Sequence, residues 1–443
     1  MIRLTSRMNQ NHQGDSSAPA GKQPPPAIQR VDRAARLRVR IIRILAVLFA
    51  CYCVGDAISF LRAWDKRKPT LKRFLPYAAE IGSDDRLYQK HPDYIYPPFF
   101  LTILKPLAHV PAPVAALIWQ TIKYGCIIAA FSLSWRMFRV HGPRFDWVRI
   151  VSVIVAARFI HSDLRHGNIN LFIAAMIIGA GVLLVRRQRF LCGLLIALAA
   201  CIKVTPGLWA LYLLYKRDVR ALAGCWVGAL LALVVVPGAI IGFERNHALL
   251  MQWRSHVIDS FVEKGTIDSD GMNQSLSAVM NRWLGHSEVP GKDRVAILQC
   301  GDSAIRLAYR GAALGLLALT FWIARAGPGS PYDQTVLDWA LLAPVSLALS
   351  GLTWTGHFCL LIPGIVGAFA WIERSRGEGR RDPTTIALAA AAAAMFILTT
   401  DILTETGREW TSRMGAPLIG AMILYAALAR LRRSRSITDT DRQ

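Results

Sequence analysis

Charged residues are scarce in this chain, and acidic ones scarcer still. Only 18% of the 443 residues are Asp, Glu, Lys or Arg, and 29 acidic residues stand against 52 basic ones. With 53% hydrophobic content and a mean hydropathy of +0.33, that shortage argues against a string of soluble domains and for one helix bundle in lipid. No apolar stretch precedes the basic run VDRAARLRVRIIR, so no cleavable signal peptide is expected. The eight cysteines lack zinc or redox spacing: Cys51-x-Cys53 is too close, and seven of them lie in or beside apolar runs. They read as small buried hydrophobes, with no disulfide. No regular repeat occurs. No nucleic-acid motif accompanies the net charge of +23, so nucleic acid is not expected as a partner.

The basic residues lie in short runs between apolar segments, the pattern of cytoplasmic loops facing anionic lipid. Residues 1–40 read as a disordered basic tail, and the first span as 41–61. Further apolar segments fall near 112–138, 147–163, 168–185, 219–243, 304–325, 334–352, 357–373, 384–402 and 415–431, leaving 433–443 as a second tail. The region 190–215 is broken at Lys203-Val204-Thr205-Pro206, and each half is too short to cross alone. It reads as a broken or re-entrant pair lining a protein cavity. The segment 97–109, opened by Pro97-Pro98, reads as a partly embedded helix. The expectation is an all-α transmembrane bundle of about twelve passes over 41–432, with both termini cytoplasmic. The long polar loops 62–96 and 244–303 then fall on the other face, together with every polar cluster of interest.

Those clusters carry the chemistry. Asp56 sits near the end of the first span, where a carboxylate is costly unless it has work to do. It is a candidate general base beside a membrane-bound substrate, with Asp65, Asp84, Asp85 and Asp93 as rivals in the same loop. Asp84-Asp85 could hold a metal, but no third or fourth ligand is in view. Around Tyr96, the run Tyr94 to Phe100 combines interfacial aromatics with a double proline. The densest polar run at a span junction goes from Arg158 through His161, Asp163, Arg165, His166, Gly167 and Asn168 to Asn170, and its cations suit a phosphate. Lys203 inside an apolar region needs a partner, for which a lipid phosphate is one candidate and snorkelling to the interface the alternative. Asn273-Gln274-Ser275-Leu276 is polar without charge and suits sugar hydroxyls. His357, in Trp354-Thr-Gly-His357, could be acid, base or phosphate contact.

Taken in order, these clusters resemble glycosyltransferase family 87, polytopic membrane enzymes that take a sugar from a polyprenyl-phosphate carrier. The matching residues are Gly55-Asp56, Tyr96-Pro97-Pro98-Phe99 and Leu104-Lys105-Pro106-Leu107-Ala108. They continue through Leu164 to Leu171, Ala199 to Pro206, Asn273 to Leu276, and Trp354 to His357. The resemblance implies a GT-C fold in a cell membrane, a bacterial inner membrane by expectation, with the active site on the non-cytoplasmic face. It implies a hexosyltransferase, mannose being the sugar of the best-known members, and places the catalytic base on Asp56 and the later motif's histidine on His357. Donor phosphate contacts fall on Lys203, Arg158, Arg165 and His166. Substrate contacts fall on Tyr96, Asn168, Asn170, Asn273 and Gln274. The partners implied are a polyprenyl-phosphate sugar, a glycan or glycolipid acceptor and membrane lipids, with no metal or cofactor required. The chain departs from the family pattern at His166-Gly167-Asn168 and in the length of the stretch from Asp56 to Tyr96, which keeps Asp65 in contention. A transporter or lipid flippase is the rival reading, since broken helices suit that class too. It should show internal pseudo-repeats, which are not seen. The expectation at stake is spatial: Asp56 and the cations, far apart in the chain, should meet at the mouth of one lipid-accessible cavity.

Overall fold

The computed structural model describes residues 26–67, 69–83, 86–259, 271–285, 295, 297–325, 331–400 and 404–438. Asp84, Asp85 and residues 1–25 lie outside them, so the paired-acid reading and most of the tail reading fall on residues not described. The regular elements among the described residues are helices, with no strand and an isolated bridge between Gly285 and Cys300. The chain divides into two units, 1–55 and 56–443. Helix α1 (Pro26–Arg62) runs through that boundary and begins fifteen residues before the expected span, so 26–40 is helical backbone rather than loose tail. Its basic residues are good helix formers and simply prolong the span.

The second unit carries the rest. Here α2 is Thr70–Glu80, α3 Pro98–Ala108, α4 Ala112–Met137, α5 Asp146–His166, α6 Asn170–Val185, α7 Arg189–Ile202 and α8 Gly207–Tyr215. Then come α9 (Val219–Ile241), α10 (Phe243–Trp253), α11 (Leu276–Leu284), α12 (Asp302–Ile323) and α13 (Pro331–Leu349). A 3-10 segment, Thr355–Leu361, leads into α14 (Ile362–Gly377), followed by α15 (Pro383–Ile397), α16 (Thr404–Arg413) and α17 (Ala416–Thr438). Among the described residues five helices are long and apolar enough to cross a membrane, or six if the bent pair α16–α17 counts as one. The expected twelve passes are not reached on length, because α3, α6, α7 and α15 are apolar but have only 10–17 residues, below the roughly 20 that span a bilayer.

Local chemistry sets the ends. Asp218 caps α9 by accepting from the Ala221 amide at 3.2 Å, and Asp382 caps α15 by accepting from the Thr385 amide at 3.1 Å. Prolines open α3 and α4, where a missing N–H costs nothing. The break between α7 and α8 falls at Lys203–Pro206, as the short apolar halves required. Pro206 biases Thr205 away from helical backbone, and Lys203 is extended at φ −145° and ψ 125°. Helix α2 lies in the polar loop and is amphipathic: Leu71, Phe74, Leu75 and Ala78 form its buried face.

The core centres on the stretch Thr355–Gly377, whose apolar window is 83% buried. Phe358 stacks on Phe159 at 5.2 Å, and Phe396 meets Phe159 edge-on at 5.1 Å, which ties the 3-10 segment to α5 and α15. Helices α7 and α9 cross so closely that a Cβ on Gly193 would stand 1.8 Å from the Ala221 carbonyl oxygen, and one on Gly224 would stand 2.0 Å from that of Phe190. Small residues at such a crossing let backbones touch in lipid, where no hydrophobic drive separates helix from lipid tail. Gly224→Val should therefore force the helices apart. The expected cost is at least the ~1–3 kcal/mol of ordinary overpacking, read as a lower unfolding temperature in detergent, whereas Gly125→Ala on α4, with nothing within 4 Å, should be near neutral.

Candidate active site

One cavity of about 1710 Å³ gathers residues from most of the chain's length. That exceeds the 300–1,000 Å³ of ordinary small-molecule pockets, so it has room for more than one substrate. Its wall is cationic. Arg158, Arg165 and His166 come from α5, Lys203 from the broken pair, and His357 from the 3-10 segment. Arg73 of α2, His256 and Arg408 of α16 join them, against two carboxylates among the described residues, Asp93 and Glu405. Both carboxylates are already committed: Arg73 lies 3.3 Å from Asp93, and Arg408 lies 3.4 Å from Glu405. The apolar remainder, including Leu208, Leu349 and Leu352, suits a hydrocarbon chain.

The turn between α5 and α6 is what aims the cations. Gly167 takes left-handed backbone at φ +62°, and a Cβ there would stand 3.1 Å from the Phe60 ring. Asp163, one turn earlier, then caps the next helix. Its carboxylate accepts from the Asn170 amide at 3.2 Å, the Asn170 side chain at 2.9 Å and the Leu171 amide at 3.4 Å. Lys123 of α4 pairs with its other face at 3.0 Å, and both residues are buried, Asp163 at 0% and Lys123 at 1% exposure. A charge pair this deep needs further hydrogen bonds, and Lys123 also donates to the Asp163 carbonyl at 2.5 Å. Asn168 accepts from the Thr70 hydroxyl at 2.6 Å, which fastens α2 to the same turn.

Three of these groups, Arg158, His166 and Lys203, are held by a carbonyl or a neighbour. Arg158 donates Nε to the Thr399 carbonyl at 3.0 Å. His166 lies with Nδ1 2.7 Å from the Ser162 carbonyl; a carbonyl cannot donate, so Nδ1 carries the proton and Nε2 is left as the ring's variable atom. Lys203 donates to Asn170 Oδ1 at 2.8 Å and lies 2.6 Å from His357 Nε2. The partner expected for this lysine is thus in part supplied by the protein. Tyr96 lines the cavity among Phe74, Tyr94 and Phe100, and burial pushes its phenol up to about 12, so it stays a neutral hydroxyl.

Eight of the eleven residues given a catalytic, phosphate or substrate role from the sequence line this cavity: Tyr96, Arg158, Arg165, His166, Asn168, Asn170, Lys203 and His357. Three do not. Asp56, expected at the cavity mouth, stands behind the wall, where its Oδ2 accepts from Gln120 at 3.1 Å and Tyr124 at 2.8 Å. The reason is visible in α4: Gln120 and Tyr124, four residues apart, present two donors on one helix face. The Gln120 amide also donates to the Leu164 carbonyl at 3.3 Å, so a single side chain separates Asp56 from the residue preceding Arg165. Asn273 and Gln274 are corrected more fully. They are 0% and 1% exposed and spend their amides on protein. Asn273 accepts from the Thr353 amide at 2.9 Å and donates to the Gly351 carbonyl at 3.1 Å, while Gln274 donates to the Ser412 carbonyl at 2.8 Å. They fasten a loop, and no atom of theirs lines the cavity. Asp65 is 90% exposed and pairs with Lys72, outside the cavity.

Sequence reasoning passed over Lys123, Gln120 and Tyr124, which it read as part of a plain apolar span. A lysine in such a span carries the same signal that marked Lys203. Arg73 was also missed, because its amphipathic helix lies inside a loop read as irregular.

The chain also has relatives among known proteins. Two mannosyltransferases of Mycolicibacterium smegmatis are each 26% identical to the chain. One is a polyprenol-phosphate-mannose-dependent alpha-(1-2)-phosphatidylinositol mannoside mannosyltransferase, matched over 76% of this chain and 74% of its own length. The other, acting on the pentamannoside, is matched over 76% of each chain. A Mycobacterium tuberculosis pentamannoside mannosyltransferase is 27% identical over 82% of this chain and 79% of its own. No solved structure matches significantly. The family model for glycosyltransferase family 87 matches residues 94–351, more than half of the chain and most of the cavity wall, and the chain belongs to that family.

Proposed function

We propose that this chain is an integral membrane mannosyltransferase. It takes mannose from a polyprenyl-phosphate carrier and delivers it to a hydroxyl of a glycan or glycolipid acceptor. The observation that carries this reading is the cavity: five positively charged or chargeable groups, Arg158, Arg165, His166, Lys203 and His357, converge from three distant stretches of sequence beside apolar lining. A carrier phosphate bonded to a lipid chain matches both halves of that wall. The relatives' dependence on polyprenol-phosphate-mannose, and their phosphatidylinositol mannoside acceptors, support the donor and a glycolipid acceptor.

In the reaction, the acceptor hydroxyl attacks the anomeric carbon as the bond to the phosphate oxygen breaks, with inversion. The cations neutralise the charge that develops on the leaving phosphate. Asp56 takes the hydroxyl proton. Both of its hydrogen-bond donors fall on Oδ2, which leaves Oδ1 to accept. A modest shift of Gln120, which bridges Asp56 to Leu164, opens that oxygen to the cavity. Asp93 lines the cavity already, but Arg73 and the Tyr77 hydroxyl occupy its carboxylate. The finer architecture is a GT-C bundle of about twelve passes, its short apolar helices crossing in part or in pairs. The cavity opens on the non-cytoplasmic face, away from the basic loops.

The test is transfer of labelled mannose from polyprenyl-phosphate-mannose to a glycolipid by the purified protein in detergent or nanodiscs. Lys203→Met and Arg165→Met should each lower kcat/KM by about 10- to 100-fold, the worth of a charge-assisted hydrogen bond of roughly 1.5–3 kcal/mol. Activity with every donor except lipid-phosphate sugars, or variants as active as wild type, would contradict the reading.

A further inference from the structure

The hydrogen bonds through Lys203 have directions that chemistry fixes from both ends. At one end, the Trp354 backbone N–H lies 2.9 Å from His357 Nδ1. A backbone N–H can only donate, so Nδ1 is an acceptor, and the neutral ring carries its proton on Nε2. At the other end, Asp163 can only accept. It therefore takes Asn170 Nδ2 at 2.9 Å, which turns Asn170 Oδ1 toward Lys203 Nζ at 2.8 Å. Between these ends, His357 Nε2 and Lys203 Nζ are 2.6 Å apart. An N–H and an ammonium have no lone pair between them, and two donors cannot sit at that distance. The geometry is consistent only if the lone pair belongs to lysine.

We infer that Lys203 in this arrangement is an uncharged amine, and that a phosphodiester binds to the site together with one proton. The amine accepts from His357 Nε2, gives one hydrogen to Asn170, and keeps one. A proton taken from solvent by Nζ uses up the lone pair. His357 Nε2–H is then released, and both groups can donate to the same phosphate oxygen or to two of them. Neutral lysine keeps the pair together, and the anion separates it.

The surroundings point the same way. Arg158, Arg165 and His166 face Lys203's cavity from α5, Arg408 from α16 and Arg73 from α2, with His256 beside them, and the four arginines oppose another positive charge. Asp93 and Glu405 face the cavity too but are paired with Arg73 and Arg408. Asp163 favours a charged lysine, but Asn170 stands between them and Lys123 already neutralises it. The proton's arrival therefore waits on the ligand's negative charge.

Two measurements test this on the full-length protein. The first does not depend on the proposed function. Brief acetic anhydride labelling read by mass spectrometry compares Lys203 with the exposed Lys66 and Lys90 across pH 6–10. An ordinary lysine is neutral in on the order of one molecule in 10³ at pH 7. Lys203 should thus label at least about a hundredfold faster than the two comparators at pH 7 and gain little at higher pH. Asn170→Asp, which puts a carboxylate beside Nζ, should return it to the comparators' profile. A Lys203 that stays unlabelled at pH 7, or follows the comparators in the wild type, overturns the inference. The second measurement rests on the donor reading: calorimetry of farnesyl-phosphomannose, a phosphodiester that does not titrate near neutral pH, in two buffers of different ionisation enthalpy. About one proton should be taken up per ligand, and affinity should fall up to tenfold per pH unit on the alkaline side. Lys203→Arg, which is always charged, should bind with no uptake. Binding by the wild type without uptake overturns the inference. Absence of binding overturns the donor reading instead, and the labelling result still decides the amine.

Discussion

Asp56→Asn should lower the rate of mannose transfer at saturating donor by about 10²- to 10⁴-fold, the range for loss of a general base, with little change in KM for the donor. The substitution is nearly isosteric. The Asn carbonyl can still accept from Gln120 and Tyr124, which hold the native carboxylate at 3.1 and 2.8 Å, so the helix contact survives and only the proton acceptor is lost. A kcat effect without a KM effect marks a group that acts in the transition state and not in donor binding. Asp93→Asn is the control. Asp93 lines the cavity and faces Arg73 at 3.3 Å, so its loss should disturb substrate fit by a few-fold at most. If the two variants exchange these outcomes, the base is Asp93, and Asp56 serves only to join α1 to α4.

Asp163→Ala should be the most destabilising single change near the site. The carboxylate is fully buried, caps α6 and pairs with Lys123 at 3.0 Å. Removing it strands a buried ammonium, for which ~3–5 kcal/mol is the usual cost. The unfolding temperature in detergent should drop sharply. Replacing both partners by leucine should recover much of the loss, because neither charge is then left alone. Activity should not return with stability, since Asn170 loses the acceptor that orients it toward Lys203. Recovery of both together would mean that Asp163 has no part in arranging the site.

Much of this was legible in the chain itself, for physical reasons. Lys203 and Arg158 stand out because a cation among apolar residues needs a purpose, and the break at Lys203–Pro206 is announced by two halves too short to cross. The α5–α6 turn is announced by Gly167 after a basic final helical turn. What stayed hidden was side-chain commitment. Asn273 and Gln274 look like surface polarity, because nothing local says that the Thr353 amide and the Ser412 carbonyl will claim them. Asp56 is recognisable as a costly carboxylate, but its seat behind the cavity wall depends on Gln120 and Tyr124, some sixty residues away. Counting spans by helix length stays at five or six among the described residues, because apolar helices such as α6 and α7 end at 16 and 14 residues.

The central claim is that cations from α5 and the α7–α8 break, together with the His357 ring of the 3-10 segment, hold one carrier phosphate. The most direct measurement is a structure of the protein in a nanodisc with a polyprenyl-phosphate sugar bound. The account predicts the phosphate within hydrogen-bond distance of Lys203 and His357, with Arg158 or Arg165 completing its shell and the lipid chain against the apolar wall. A phosphate seated elsewhere, with Lys203 still bonded to His357, would contradict it.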